Sequence, residues 1–174
     1  MSTIYKKINK ILVEKDLSIN KLATLIGEKN SGNLNFMMLG KKSFSRPLIQ
    51  KLLPILEISK EEFQSWILAD KYPKELLELA IQAKKDFPYK RKSILTTKID
   101  AILHHAGMSR TDLSKQVKYS QSGLNSIITG KRSMSKPVLK KLSEALEIPE
   151  NEILSWILAD KYSLRVLELA YQCK

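Results

Sequence analysis

One octapeptide, SWILADKY, occurs twice in this chain, at residues 65–72 and again at residues 155–162. The similarity extends well beyond this segment. Between residues 34–83 and residues 124–173, 26 of the 50 paired positions are identical, and no gap is needed to align them. An internal repeat of this length indicates two copies of one small domain rather than a single domain built on one long core.

The repeat sets the predicted domain boundaries. We predict copy 1 at residues 1–83, a linker at residues 84–93 and copy 2 at residues 94–174. The linker sequence, KKDFPYKRKS, is charged and is interrupted by a proline. Each copy has about eighty residues, which is within the usual size range of a domain but allows only a modest core.

The charge of the chain favours a polyanionic partner. The chain has 30 Lys and Arg residues against 18 Asp and Glu residues, which gives a net charge of +12. Residues 1–92 carry +8 and residues 93–174 carry +4, so both halves are basic. Nucleic acid is the first candidate for such a partner. A lysine-rich but otherwise ordinary surface is the alternative, and charge alone does not separate the two.

Several functional classes are disfavoured by the sequence. The single cysteine, Cys173, cannot form an internal disulfide or a cysteine-rich zinc site. The sequence has no signal peptide and no apolar stretch approaching ~20 residues, so we expect a cytoplasmic protein with no membrane partner. No phosphate-cradling glycine loop or nucleophile elbow is present, and we expect neither an enzyme nor a cofactor.

Two further sets of titratable residues receive structural interpretations. His104 and His105 are adjacent on a predicted helix, so they do not share a face as two metal ligands would. Asp70 and Asp160 recur at matching positions of the repeat, and we expect them to act as caps or surface residues near the last helix of each copy.

Helical periodicity dominates both copies, whereas strand alternation is absent. In copy 2 the predicted helices begin near Ser93, Ser109, Ser120, Ser135, Pro149 and Ser163. In copy 1 they lie near residues 3–15, 18–26, 31–39, 45–56, 59–71 and 74–83. Ser109 with Asp112 predicts a capping box, as does Ser59 with Glu62. Pro54 predicts a kinked or shortened fourth helix in copy 1.

A pair of short helices joined by a tight turn is predicted within residues 112–132 of copy 2. Leu113 and Val117 on the first helix, and Leu124 with Ile127 or Ile128 on the second, face inward. The second helix begins at Ser120, and its outward residues are short and polar: Gln121, Ser122, Asn125 and Ser126. Gln and Asn side chains can form paired hydrogen bonds with adenine. Lys131 and Arg132 follow the helix, where they suit backbone phosphates.

At these residues the sequence resembles the lambda-repressor-like (Cro-type, XRE) helix-turn-helix family. The matching motifs are Ser-Gln-Ser-Gly-Leu at 120–124, Gly-Lys-Arg at 130–132 and Leu-Glu-Ile at 146–148. The resemblance runs from about Ile99 to Trp156. It implies a five-helix DNA-binding domain whose third helix reads the major groove through Gln121 and Ser122. It also implies that Arg110 touches phosphate or braces Gln121.

Copy 1 departs from this pattern. Its turn is one residue longer, and Ser31, Gly32 and Ile19 stand where copy 2 has Gln121, Ser122 and Arg110. The predicted DNA contacts that remain in copy 1 are Ser31, Asn33, Asn35, Lys41 and Lys42. Copy 1 is therefore interpreted in one of two ways. It either binds DNA mainly through contacts with the DNA backbone, or it is a protein-interaction domain.

The overall prediction is an all-α protein of two tandem lambda-repressor-like helix-turn-helix domains, each with an added C-terminal helix. Its predicted function is sequence-specific binding of double-stranded DNA as a transcriptional regulator, with the two copies acting as a covalent pseudo-dimer. The alternative is a protein-interaction module of the antitoxin-like or anti-repressor kind. SWILADKY is interpreted either as core within each copy or as a pairing surface between copies or in a homodimer. A regulatory protein partner is also considered.

Overall fold

The computed structural model describes residues 2–87 and 93–174, and within these ranges it contains twelve α-helices and no strand. Residues 88–92 of the predicted linker lie outside the described residues. The first six helices are α1 (Thr3–Glu14), α2 (Ile19–Leu25), α3 (Ser31–Met38), α4 (Arg46–Leu56), α5 (Lys60–Lys71) and α6 (Lys74–Asp86). The next six are α7 (Ile94–His105), α8 (Arg110–Gln116), α9 (Gln121–Ile128), α10 (Lys136–Leu146), α11 (Glu150–Lys161) and α12 (Leu164–Gln172). The predicted all-α class is confirmed.

The first compact unit comprises Met1–Lys74 together with Glu168–Lys174. Its core takes one or more apolar residues from each of α1 to α5, and the fully buried ones include Ile8, Leu22, Leu34, Leu52 and Phe63. These residues recur at helical spacing along each amphipathic helix, which gives every helix one apolar face to bury. The result is a core closed by α1 packing against α5 and by α2 packing against α3.

The second compact unit comprises Glu75–Leu167. Its core repeats the pattern with Ile99, Leu113, Leu124, Leu142 and Ile153 from α7 to α11. Here α7 packs against α11 and α8 packs against α9. The two units therefore build the same five-helix core from corresponding positions of the repeat.

The compact units do not divide the chain where the repeat does. Ala83, from α6, is a buried member of the core of the second unit, and the Lys84 side chain donates a hydrogen bond to the Ala159 carbonyl at 2.5 Å. Cys173, after the end of α12, packs against the core of the first unit. The predicted boundaries 1–83, 84–93 and 94–174 thus describe the sequence repeat, and they stay a prediction for independently folding domains.

Pro54 does not shorten α4, so this part of the prediction was wrong. The helix runs over eleven residues, as does its counterpart α10, with Pro54 inside it. A proline removes one backbone donor from the helix. Pro54 lies two residues before the end of α4, and the buried Leu52 and Leu56 on either side hold the last turn against the core.

The recurring aspartates of SWILADKY cap the first helix of each unit. Asp70 accepts hydrogen bonds from the backbone N–H groups of Thr3 (2.5 Å) and Ile4 (3.1 Å). Asp160 accepts from those of Ile94 (2.8 Å) and Leu95 (3.1 Å). The first N–H groups of a helix have no partner within the helix, and a carboxylate there is also favoured by the helix dipole. A capping role was predicted, but near the last helix of each copy, and that placement was wrong.

The tryptophans of SWILADKY are core residues of their own units. Trp66 and Trp156 are each 3% exposed, and each belongs to the core cluster of the unit that contains it. In the first unit the ring centres of Trp66 and Phe63 are 6.0 Å apart. The Phe63 ring also meets the Phe44 ring edge-on, with 5.1 Å between the ring centres. This packing confirms the interpretation of the tryptophan stripe as core.

Removing the Asp160 carboxylate should destabilise the chain. We expect Asp160→Ala to lower the free energy of unfolding by about 1–2 kcal/mol, because two helix N–H groups lose their acceptor. Asp160→Asn keeps one oxygen acceptor and should cost less. Urea unfolding followed by circular dichroism measures both variants. An alanine variant with the wild-type midpoint would contradict the capping role.

Candidate nucleic-acid interface

In the second unit, α8 and α9 form two short helices joined by residues 117–120. The turn passes through Lys118, whose φ of +51° lies in the left-handed region, and ends at Ser120, whose hydroxyl accepts from the Gly123 N–H at 3.3 Å. Leu113 and Leu124 are fully buried beneath the pair. The two helices are thus held by their apolar faces, and the other face of α9 is left towards solvent.

The predicted capping box at the start of α8 is present. Ser109 accepts from the Asp112 N–H, and the Asp112 carboxylate accepts from both the backbone N–H and the hydroxyl of Ser109. These bonds lower the pKa of Asp112, the hydroxyl bond being the larger cause. A carboxyl whose pKa is lowered on folding stabilises the fold above its unfolded pKa, and the contribution disappears as the pH falls through the folded value.

The outward face of α9 carries the predicted polar residues in a braced arrangement. Gln121 and Ser122 are exposed, whereas Asn125 and Ser126 are half-buried. The Gln121 amide nitrogen donates to the Thr111 hydroxyl at 2.9 Å. The Ser126 hydroxyl donates to the Ser122 carbonyl at 2.9 Å. These bonds leave the Gln121 carbonyl as an acceptor on the exposed side of the helix.

Arg110 braces a different residue from the one predicted, and its predicted phosphate contact stays a prediction. Its guanidinium donates to the Asp100 carboxylate at 2.7–2.9 Å and to the Asn125 carbonyl oxygen at 3.3 Å. The residue that Arg110 braces is therefore Asn125, while Gln121 is held by Thr111, so the predicted partner was wrong. The ion pair with Asp100 compensates the charge of Arg110. It also fixes the guanidinium, whose bond to the Asn125 side-chain oxygen leaves the amide donors of Asn125 for other partners.

The predicted basic residues lie directly after the two helices. Lys131 and Arg132 are exposed, and the Arg132 N–H donates to the Ser126 carbonyl at 2.9 Å, which ties this turn to the last turn of α9. Gly130 ends the helix with a φ of +74°, a conformation that residues with a Cβ rarely adopt. The corresponding turn of the first unit has Gly40 at the same φ, followed by exposed Lys41 and Lys42.

The corresponding face of the first unit is built differently. Residues 26–30 join α2 to α3, so the predicted extra residue in the turn is confirmed. Asn33 accepts from the Lys42 ammonium at 2.8 Å and donates to the Glu28 carboxylate at 2.9 Å. These two bonds occupy an amide that was predicted to contact DNA. Ser31 and Asn35 are half-buried.

Comparison with known families supplies a direct finding for one unit. A family model described as a Cro/C1-type HTH DNA-binding domain matches residues 98–159. This segment is similar to that family. It runs from α7 to α11 and includes α8 and α9 as the helix-turn-helix pair. No curated protein and no solved structure matches the chain.

The matched segment contains α9, and it agrees with the extent of the predicted resemblance. The matched segment does not include residues 2–87, so the assignment of the first unit to this family rests on the repeat and stays a proposal. Among the described residues, no helix is long and apolar enough to cross a membrane.

Sequence reasoning missed the residues that support the outward face. Asp100 and Thr111 hold Arg110 and Gln121 respectively, and both lie ten positions before their partners. Such pairs join different helices, so helical spacing within one helix cannot reveal them. Phe36, which is 52% exposed on α3, was also missed. The repeat could have revealed it, because Phe36 stands where the second copy has the polar Ser126.

Gly123 is required by close packing at the start of α9. A Cβ at this position would lie 2.7 Å from the Tyr119 ring and 2.7 Å from the Ser120 hydroxyl. Gly32 in the first unit has no such restriction, since the nearest atom to a Cβ there is the side-chain Oδ1 of Asn30 at 3.4 Å. The ring of Tyr119 therefore packs too closely against the start of α9 to leave room for a Cβ at this position.

Gly123 and Gly32 are both helical but differ in the space around them, so they can be compared in a stability test. We expect Gly123→Ala to destabilise the chain by about 1–3 kcal/mol, because the Tyr119 ring and the Ser120 cap must both move. Gly32→Ala should be neutral or stabilising by up to about 1 kcal/mol, because alanine loses less conformational entropy in a helix. Urea unfolding compares them. Shifts of the same sign and size in both variants would contradict the close packing of Gly123 against Tyr119.

Proposed function

We propose that the chain is a transcriptional regulator that binds double-stranded DNA in a sequence-specific manner, with its two units acting as a covalent pseudo-dimer. One observation carries the proposal. In the unit that matches a DNA-binding family, two amide side chains on the outer face of α9 are braced by neighbouring residues, with exposed cations directly after the helix. Braced amides suit base edges, and flanking cations suit phosphates.

Each proposed contact has a defined role. Gln121, Ser122, Asn125 and Ser126 would face the bases, and Lys131 and Arg132 would contact the phosphate backbone. Ser120 would cap α9 and direct the first N–H groups of this helix towards a phosphate. In the first unit Lys41 and Lys42 would supply the corresponding backbone contacts.

The pseudo-dimer is supported by the repeated five-helix core and by net positive charge in both halves of the chain. A homodimer through SWILADKY also stays a prediction. The tryptophans are buried and cannot contact a second chain, so such a dimer would have to use exposed residues such as Lys71 and Lys161.

Phosphate contacts should make binding strongly dependent on salt. With the four lysine and arginine contacts proposed above, the affinity for a duplex should fall by about 10² between ~50 and ~200 mM salt. Lys131→Ala should weaken binding to all sequences and lower the slope of log affinity against log salt by about 1. Fluorescence anisotropy with labelled duplexes measures both quantities.

The matched control for Lys131→Ala is Arg165→Ala, which removes an exposed cation outside the segment that matches the family. Its slope should stay at the wild-type value. Duplex binding that is insensitive to salt would contradict the proposed function and favour a protein-interaction module of the antitoxin-like or anti-repressor kind.

Base preference should depend on Gln121 much more than on Ser31. A bidentate amide–base pair contributes about 1–3 kcal/mol of discrimination. We therefore expect Gln121→Ala to remove the preference at one or two base positions while leaving non-specific binding nearly intact. Ser31→Ala should change the preference much less, because a single half-buried hydroxyl offers fewer bonds.

The measurement begins with selection of bound duplexes from a random library, followed by affinities for the selected site and its single-base variants. The wild-type chain and both variants are compared on the same set. If Ser31→Ala flattens the preference and Gln121→Ala does not, the first unit is the principal reader and the roles of the two units are reversed.

A further inference from the structure

The outward face of α3 is apolar where the outward face of α9 is polar. Gly32, Phe36 and Leu39 lie on one side of α3 at i, i+4 and i+7 spacing. Phe36 is 52% exposed and Leu39 is 43% exposed. The matching residues of the second unit are Ser122, Ser126 and Thr129. Within a fold that otherwise repeats its core, the first unit thus exposes an aromatic ring on the element that corresponds to the recognition helix.

Gly32 leaves open space next to this ring. Packing does not require a glycine there, because an added Cβ would meet only the side-chain Oδ1 of Asn30 at an ordinary contact distance of 3.4 Å. Its backbone is helical, so its conformation does not require a glycine either. A glycine in a helix is destabilising, and one use of it is close approach to a ligand. One turn before Phe36, it permits such an approach.

The charges around Phe36 favour a polyanion over a basic or neutral partner surface. The Lys41 ammonium lies 5.7 Å from the centre of the Phe36 ring, and Lys42 follows it. The nearby carboxylate of Glu28 is engaged by the Asn33 amide, which in turn accepts from Lys42. An apolar ring framed by cations fits the DNA major groove, where the C5-methyl of thymine is the apolar group between two rows of phosphates.

We propose that Phe36 contacts thymine C5-methyl groups in the half-site bound by the first unit. The two units then read chemically different half-sites, one through the amides of Gln121 and Asn125 and the other through methyl groups. This inference rests on the proposed function. It identifies the DNA ligand of the full chain as an asymmetric site with thymines in one half.

Replacing thymine with deoxyuridine tests the proposal, because only the methyl group is removed and base pairing is kept. The probe is the duplex selected from a random library by the full-length chain, with deoxyuridine introduced at one thymine at a time. Each methyl lost from an apolar contact should weaken binding by about fourfold, the equivalent of one buried CH₂ group. We expect one or two such positions in one half of the site.

Three variants assign the effect to Phe36. Phe36→Ser introduces the residue of the second unit and should make the thymine and deoxyuridine duplexes bind equally at those positions. Phe36→Leu keeps an apolar group and should retain most of the difference. Arg165→Ala, an exposed position outside the segment that matches the family, should leave the deoxyuridine profile unchanged. Circular dichroism melts check that each variant is folded.

The outcomes separate this inference from the proposed function. Salt-dependent duplex binding without any effect of deoxyuridine overturns the inference and leaves the proposed function standing. A deoxyuridine effect that persists unchanged in Phe36→Ser also overturns it, because a residue other than Phe36 then contacts the methyl group. Absence of salt-dependent duplex binding overturns both.

Discussion

The helix cap formed by the aspartate of SWILADKY is the interaction on which the geometry of each unit depends. Asp160 accepts from the first N–H groups of α7, and the Thr96 hydroxyl of the same helix donates to the Ile128 carbonyl at the end of α9. In the first unit Asp70 caps α1, and the Ser2 hydroxyl donates to the Met38 carbonyl of α3. Helix ends carry unpaired polar groups that must find partners. These bonds link the fifth, first and third helices of each unit.

This arrangement explains why the longest identical segment of the repeat lies outside the outward faces of α3 and α9. SWILADKY supplies a core tryptophan and a helix cap to each unit, and both requirements are the same in the two units. The outward face of α3 or α9 has no internal partner to satisfy beyond a few side-chain bonds. It is therefore free to differ, and Phe36 against Ser126 shows that it does.

The two outward faces also differ in how firmly they are held. In the second unit the Arg110–Asp100 ion pair orients Asn125, and Thr111 holds Gln121. The first unit has Ile19 in place of Arg110, and its bracing runs through Asn33, Lys42 and Glu28 instead. Side chains fixed before binding lose less entropy on binding. The second unit thus presents amides held in place by its own residues, whereas the first unit presents an exposed ring and lysine cations.

The sequence alone determined the helices, their order and most of their ends, because amphipathic spacing, serine caps and glycine stops act within a few residues of one another. It also located the polar face of α9 and the cations that follow it. Only the tertiary structure decided which helix Asp160 caps, which residue Arg110 braces, and that Ala83 joins the core of the second unit. These contacts join residues that are distant in sequence, and no local pattern specifies them. They depend on how the helices pack, which the summed burial of many side chains decides.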